Sequence, residues 1–196
     1  DILNDLTIVL TACDLMENAD PKLKMKASRA LDKSISLIER MRELEQALIS
    51  DSVMQKYEIN DVIQDIVKNY PEIKFNVKGR CNVCTDEAIF SVLDNIIRNA
   101  IIHGKTKKIN IGIRQTEKYC EVKITDYGKG IPDKIKSNIF EEGFSYGENR
   151  STGLGLYIVK KIMERYGGSV RVADNKPSGT IFILEYPIYE SKYAIC

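Results

Sequence analysis

The chain has 196 residues, 43% of them apolar, enough for one large domain or two small ones with buried cores. Its formal net charge of +1 gives no electrostatic case for a nucleic-acid or anionic-membrane ligand. No apolar run approaches the ~20 residues of a bilayer-spanning helix, and no signal-peptide pattern is present. The five cysteines, at 13, 81, 84, 120 and 196, are an odd set and read as reduced thiols rather than a disulfide framework. Cys81-x-x-Cys84 has zinc-ligand spacing, but no second pair or nearby histidine completes four ligands.

Up to about residue 50 the sequence is free of glycine and periodic. A first helix carries Ile2, Leu6, Val9, Cys13 and Met16, with Leu3 and Leu10 beside them. Asp20-Pro21 supplies an N-cap and a first-turn proline for a second helix, expected from about 21 to 50. There Leu23, Ala27, Ala30, Ser34, Leu37, Met41, Leu44 and Leu48 alternate steps of four and three, a heptad seam widened by Leu31, Ile35 and Ile38. ENADP makes a short connection, so an antiparallel helical hairpin is expected. One hairpin cannot bury two such broad apolar faces, whereas two would in a four-helix bundle, so a homodimer is expected, with a hairpin packed on the chain's own second half as the alternative. The first helix is the shorter, and the chain therefore reads as starting inside a longer one.

From about residue 57 strands and helices interleave. EINDVIQDIVKNY (58–70) reads as a helix capped near Asn60 or Asp61, IKFNV (73–77) as a strand, and TDEAIFSVLDNIIRNAII (85–102) as a long buried helix. KINIGIRQTEKYCEVKITDYG (108–128) has the alternation of a hairpin, with Ile109, Ile111 and Ile113 on one strand and Cys120, Val122 and Ile124 on the other. GLGLYIVKKIMERYGG (153–168) is a helix bounded by glycine, and SVRVADNKPSGTIFILEYPI (169–188) a second hairpin. The expected fold is α+β: a hairpin domain over 1–52, then an α/β sandwich over 53–196 with a mixed, largely antiparallel sheet.

Three polar clusters stand out in the second part. Asn95, Asn99 and His103, the chain's single histidine, are four residues apart and project from one helix face, drifting about 40° per step. Amides against a core need partners for both oxygen and nitrogen, and an amide oxygen together with nucleotide phosphates suits Mg²⁺. A merely solvated helix face is the alternative. The second cluster, DYGKGIP (126–132), sets Asp126 at a strand end beside Gly128 and Gly130, which permit close backbone approach to a ligand, although taken alone it reads as a plain turn. The third, STGLGLYIVKK (151–161), places Gly153 and Gly155 before a helix whose unpaired amino-terminal N–H groups suit phosphate. It follows no strand and lacks the P-loop pattern, so neither dinucleotide nor P-loop binding is indicated.

Together these clusters resemble the ATP-binding domain of the sensor histidine kinases, of the gyrase-like (Bergerat) fold. DNIIRNAIIHG (94–104) resembles the N box, DYGKGIP the first glycine box, IFEEGF (139–144) the F box and STGLGLYIVKKIMERYGG (151–168) the second glycine box. SGTIFILEYP (178–187) is similar to the closing strands, with Gly179-Thr180 near the adenine. The resemblance implies that Asn99 ligates Mg²⁺, Asn95 lines the phosphate site and His103 is a pocket residue near the phosphates rather than a phosphoacceptor. Where gyrase-type hydrolases have a water-activating glutamate this chain has Asn95, and an amide cannot take a proton from water at neutral pH. The pocket should therefore hold ATP rather than hydrolyse it. Asp126 would accept from the adenine amino group, with Thr180 reaching the same place through a water. Gly128, Gly130, Gly153, Leu154, Gly155 and Leu156 would shape the pocket and the hinge of a lid, SYGENRST (145–152), in which Arg150 is the candidate for reaching a γ-phosphate. Ser151 and Ile102 depart from the family's frequent glycine and lysine.

The start, DILNDLT, resembles the segment that follows the acceptor histidine in the family's H box. The acceptor would then precede Asp1, Asp1 would orient it and take its proton, and Asn4 would position water for dephosphorylating a response regulator. A merely cut helix end is the alternative for Asp1 and Asn4. The implied function is the catalytic core of a two-component histidine kinase, passing phosphate from ATP to histidine and then to an aspartate of a response-regulator receiver domain. It would be cytoplasmic, with membrane attachment only through an upstream region. The chain as it stands would bind ATP and Mg²⁺ without phosphorylating itself. An anti-sigma-type serine kinase and a non-catalytic ATP-binding dimeric scaffold are the alternatives.

Overall fold

The fold is described from a computed structural model, over residues 6, 8, 9, 11, 13, 20–48, 53–146 and 153–188. The chain divides into two compact units, Asp1–Glu45 and Gln46–Cys196.

In the first unit Leu6, Ile8, Val9, Thr11 and Cys13 are helical, and helix α1 spans Pro21–Leu48. Asp20 caps α1 as its sequence predicts: its carboxylate accepts the Lys22 N–H at 2.9 Å and its carbonyl accepts that of Lys24 at 2.9 Å. Pro21, with no N–H to lose, opens the helix. Along the heptad seam Leu23, Leu37 and Met41 are exposed in the single chain, while Leu31, Ile35 and Ile38 are partly covered. The pairing of the expected first helix with α1 falls largely on residues outside those described.

The second unit runs β1 (Gln55–Glu58), α2 (Ile59–Val67), β2 (Lys74–Lys78), β3 (Asn82–Thr85), α3 (Ala88–Ile102), β4 (Lys108–Gln115), β5 (Tyr119–Asp126), α4 (Asp133–Lys136), α5 (Gly155–Arg165), β6 (Ser169–Asp174) and β7 (Thr180–Pro187). Five strands form one sheet in the order β2-β4-β5-β7-β6, with β2 parallel to β4 and every other pair antiparallel. This is the mixed, largely antiparallel sheet expected. Alternation decides its faces. Ile109, Ile111, Ile113, Cys120, Val122, Ile124, Phe182, Leu184 and Tyr186 are buried, and α2, α3 and α5 bury apolar faces of their own. Helix α3 packs against both α2 and α5. On the opposite face Glu121 and Glu185 are cross-strand partners of like charge. Arg171 lies between them, 3.6 Å from Glu121 and 3.2 Å from Glu185, with Arg114 and Lys123 also on Glu121.

Three local expectations are corrected, and one strand pair was not foreseen. Strands β1 and β3, which pair antiparallel in a sheet of their own, are too short to announce themselves by alternation. The cap of α2 is Glu58 rather than Asn60 or Asp61, its carboxylate accepting the Asn60 N–H at 2.9 Å. Helix α2 stops at Val67 rather than Tyr70, because Pro71 biases the residue before it away from helix. Cys13, Cys81 and Cys120 are free thiols, as expected, but Cys84 is disulfide-bonded.

Candidate functional site

The asparagine row lies on α3. Asn95 is buried; its Nδ2 donates to the Ser91 carbonyl at 2.9 Å and to Ser91 Oγ at 3.2 Å, and its Oδ1 accepts from the Arg98 guanidinium at 2.9 Å. The amide is therefore fully oriented by its own helix. One turn on, Asn99 is partly buried, and its side chain makes no hydrogen bond with the described residues. Its carbonyl accepts the N–H groups of His103 (2.9 Å) and Gly104 (3.2 Å), which ends the helix. His103 occupies the C-cap with an exposed side chain.

Gly104 joins this helix end to the second cluster. A Cβ on Gly128 would lie 2.1 Å from the Gly104 carbonyl oxygen, and that same oxygen accepts the Lys129 N–H at 3.0 Å. Only glycine lets the two backbones meet this closely. Asp126 ends β5 beside them, almost fully buried. Its carboxylate accepts the Gly128 N–H at 2.8 Å and both the N–H and the hydroxyl of Thr180, the first residue of β7. Burial pushes the Asp126 carboxyl above the ordinary aspartate value, and these donors pull partly the other way. Gly179, at φ +112°, is a second enforced glycine: its Cβ would lie 2.1 Å from the Asp126 carbonyl oxygen. That oxygen accepts from Asn175 Nδ2 at 2.8 Å. Gly130, at φ +75°, sits against the Gly179 carbonyl. The end of α3, the loop after β5 and the turn into β7 thus meet main chain to main chain, and Asn99 and Asp126 lie on the same side of the unit.

The third cluster begins where Gly153, at φ +71°, abuts the backbone of Gly143 and Phe144. Leu154 and Gly155 are buried, Leu156 partly so, and α5 starts with no side chain capping its amino end. Its first N–H groups are left for a ligand or water. At the other end of α5, Arg165 and Tyr166 hold buried Asp86, just ahead of α3: the guanidinium lies 2.7 Å from Oδ2, and the Tyr166 hydroxyl donates to Oδ1 at 2.5 Å. Helices α3 and α5 are locked together there, with the asparagines and the glycine turn at their opposite ends.

Residues 84–190, the region holding all three clusters, match the model of the histidine kinase-, DNA gyrase B- and HSP90-like ATPase family. The chain belongs to this family. The ATPase family's named relatives here are sensor kinases. The CAI-1 autoinducer sensor kinase/phosphatase CqsS of Vibrio cholerae is 27% identical over 161 residues, 77% of this chain and 24% of that protein. The chain thus spans about a quarter of that relative's length. The mycobacterial sensor histidine kinase MprB superposes with a TM-score of 0.59 at 26% identity, over 69% of this chain and 97% of that one. The histidine kinase ThkA, solved in complex with the response regulator protein TrrA, shares the fold at a TM-score of 0.67 and 23% identity, over 94% of this chain and 58% of that one.

Among the sequence-predicted residues the structure brings Asn99, Asp126 and Gly128 to Gly104, with Thr180 beside Asp126 and Gly130 against Gly179, and it sets Gly153, Leu154, Gly155 and Leu156 at the start of α5. Asn95 and His103 lie one turn to either side of Asn99 on α3. Asp1, Asn4 and Arg150 fall outside the described residues. Sequence reasoning passed over Gly104, Asn175, Arg98 and Asp86. The glycine had a signal in its place after the helix; the other three are fixed by long-range or amide-specific contacts that spacing does not reveal.

Among the described residues no group of three or more His, Cys, Asp or Glu side chains converges to hold a metal unaided. The side-chain oxygen of Asn99, uncommitted and partly exposed, suits a magnesium ion that takes most of its other ligands from phosphates and water.

Proposed function

We propose that the chain is the catalytic core of a two-component sensor histidine kinase, binding Mg²⁺-ATP between the end of α3, the loop after β5 and the start of α5. The observation that carries this reading is Asp126: a buried carboxylate at a strand end, oriented by Gly128 and Thr180, one glycine contact from the Asn99 helix end. A carboxylate that accepts from fixed donors and keeps lone pairs for one more is suited to an exocyclic amino group such as adenine's.

In this reading the triphosphate extends from Asp126 toward Asn99, Asn95 and the uncapped amino end of α5, with Leu154 and Leu156 flanking it. Asn99 would hold the magnesium ion, which when bound would neutralise charge on the phosphates. Asn95 hydrogen-bonds but cannot deprotonate water, which disfavours hydrolysis and keeps the γ-phosphoryl group for transfer. His103 borders the phosphates, and Arg150, in the lid, meets the γ-phosphate.

In this reading the acceptor is a histidine, which the resemblance of DILNDLT to the H box would set next to Asp1. Its ring nitrogen bonds to the γ-phosphorus as the bond to the β–γ bridging oxygen breaks, ADP leaves, and Asp1 takes the imidazole proton. The phosphoryl group then passes to an aspartate of a receiver domain, and in a separate hydrolysis that releases inorganic phosphate Asn4 positions the water that dephosphorylates that aspartate. The fold shared with ThkA, which was solved with a response regulator, supports such a partner. In this reading residues 1–52 are the dimerising and phosphotransfer hairpin, and the exposed Leu23, Leu37 and Met41 of α1 support a homodimer. Residues 53–196 are then the ATP-binding domain. Among the described residues no helix is long and apolar enough to cross a membrane, which fits placement of this part in the cytoplasm.

Two measurements test the reading. Calorimetry on the folded chain should show one site for Mg²⁺-ATP. The chain with a histidine added before Asp1 should take up acid-labile, alkali-stable phosphate from ATP and pass it to a receiver domain. Acid-stable phosphoserine on a partner would point instead to the serine-kinase alternative, and folded protein that ignores ATP would end the nucleotide reading.

A further inference from the structure

We propose that Arg98 is a phosphate-binding residue of this site, supplying the positive charge for the terminal phosphates of the nucleotide; this rests on the nucleotide reading above. The starting observation is Asn95. Both bonds from its Nδ2 go to Ser91, so its oxygen can face only one way, and what it faces is the Arg98 guanidinium at 2.9 Å. Any phosphate that Asn95 lines therefore comes within a hydrogen-bond length or two of that cation.

Arg98 also has no close counter-ion among the described residues. The side chain is partly buried, yet no carboxylate among the described residues lies within 4 Å of it, and its one hydrogen bond is to the neutral amide of Asn95. The nearest acid in sequence on that side, Asp94, accepts the Tyr70 hydroxyl at 2.6 Å and makes no direct ion pair with Arg98, which acts on that tyrosine only at a distance. A guanidinium has five N–H donors in a planar fork, and here most of the fork is open. Withdrawing such a group from water without a counter-ion is costly, and an arriving polyphosphate offsets that cost. Helical geometry adds a constraint. Ile102 follows Arg98 by four residues, so the two project from the same face, and Ile102 is 45% exposed. A cation at either position reaches the same rim of the site, and in this chain only position 98 carries one.

The full chain is the material for the test. Calorimetry measures Mg²⁺-ATP binding, and ligand-observed NMR measures adenosine, which binds through its base and sugar alone. R98A should weaken Mg²⁺-ATP on the order of tenfold or more, the scale of a charge-assisted hydrogen bond, and leave adenosine unchanged. R98K and the double variant R98A/I102K should each recover part of the lost affinity. The proposal is overturned if R98A binds Mg²⁺-ATP as wild type does, if adenosine and Mg²⁺-ATP weaken in step, or if neither lysine variant recovers affinity. Wild type that is folded but blind to Mg²⁺-ATP removes the nucleotide reading itself, a result distinct from a binding wild type with an indifferent R98A.

Discussion

Replacing Asp86 by alanine should destabilise the second unit far more than a surface substitution would. Asp86 is 3% exposed and the Arg165 side chain 17%, so solvent screens their ion pair little. The carboxylate accepts from the guanidinium at 2.7 and 2.9 Å, from the Tyr166 hydroxyl at 2.5 Å and from the Ala88 N–H at 3.0 Å, which closes the first turn of α3. Truncation strands all three donors, and the Arg165 Nε is already buried without a partner. Breaking one side of such a buried pair costs about 3–5 kcal/mol. For a domain of this size, that lowers the melting temperature by roughly 10 °C. Urea denaturation followed by circular dichroism, on D86A, R165A and the double variant, gives the coupling directly. It should be on the order of 2 kcal/mol, because once Asp86 is gone the arginine has little left to lose. A D86A cost below about 1 kcal/mol, or single losses that simply add, would refute the reasoning. The same substitution should weaken nucleotide binding, although about 16 Å of helix axis separates Ala88 from Asn99, since it frees the end of α5 that fixes the glycine turn at its start.

Asp126→Asn should cost Mg²⁺-ATP affinity about tenfold to a hundredfold in calorimetry. Acidification provides a second test. With its carboxyl held above the ordinary value, Asp126 loses the acceptor at a higher pH than an ordinary aspartate would, so affinity should fall as pH drops through that raised value and flatten in D126N. The sign for folding is opposite: the protonated form is the one the fold favours, so this group's contribution to stability is present below its unfolded value and lost as pH rises through the folded one, which melts across the acid range will reveal. Gly128→Ala, with its new Cβ 2.1 Å from a carbonyl oxygen, should cost about 1–3 kcal/mol or more in thermal melts and abolish binding. Gly112→Ala on β4, where a Cβ meets nothing within 4 Å, should be harmless. Asn99→Ala should erase the difference between ATP affinities measured with and without magnesium, while one that keeps the difference removes Asn99 from the metal's ligands.

Much of the fold was legible because periodicity is a local property. The isoleucines of β4 and the alternating Cys120, Val122 and Ile124 of β5 announce one buried face, and the Asp20-Pro21 pair marks the start of α1 to the residue. The parallel pairing of β2 with β4 was not legible, since strand direction depends on how α3 returns the chain, and neither was the β1–β3 ribbon, four residues a side. At the site, the glycines and Asp126 were readable because each type answers a backbone or charge requirement in its own short stretch. The bond from Asn175 to the Asp126 carbonyl spans 49 positions and the Asp86–Tyr166 bond 80, so no window of sequence contains them. Arg98 was missed for another reason: an arginine on a helix ordinarily reads as a solvated face, and only its hold on the Asn95 amide sets it apart.

The floor where Gly128 meets Gly104 and Gly179 meets the main chain of Asp126 and Tyr127 is made largely of peptide groups. A small molecule that took its hydrogen bonds from those peptide atoms would face a surface that single-residue replacement can hardly redraw without wrecking the fold. Escape from such an inhibitor would have to arise along the asparagine row, where the side chains of Asn99 and His103 are not fully buried.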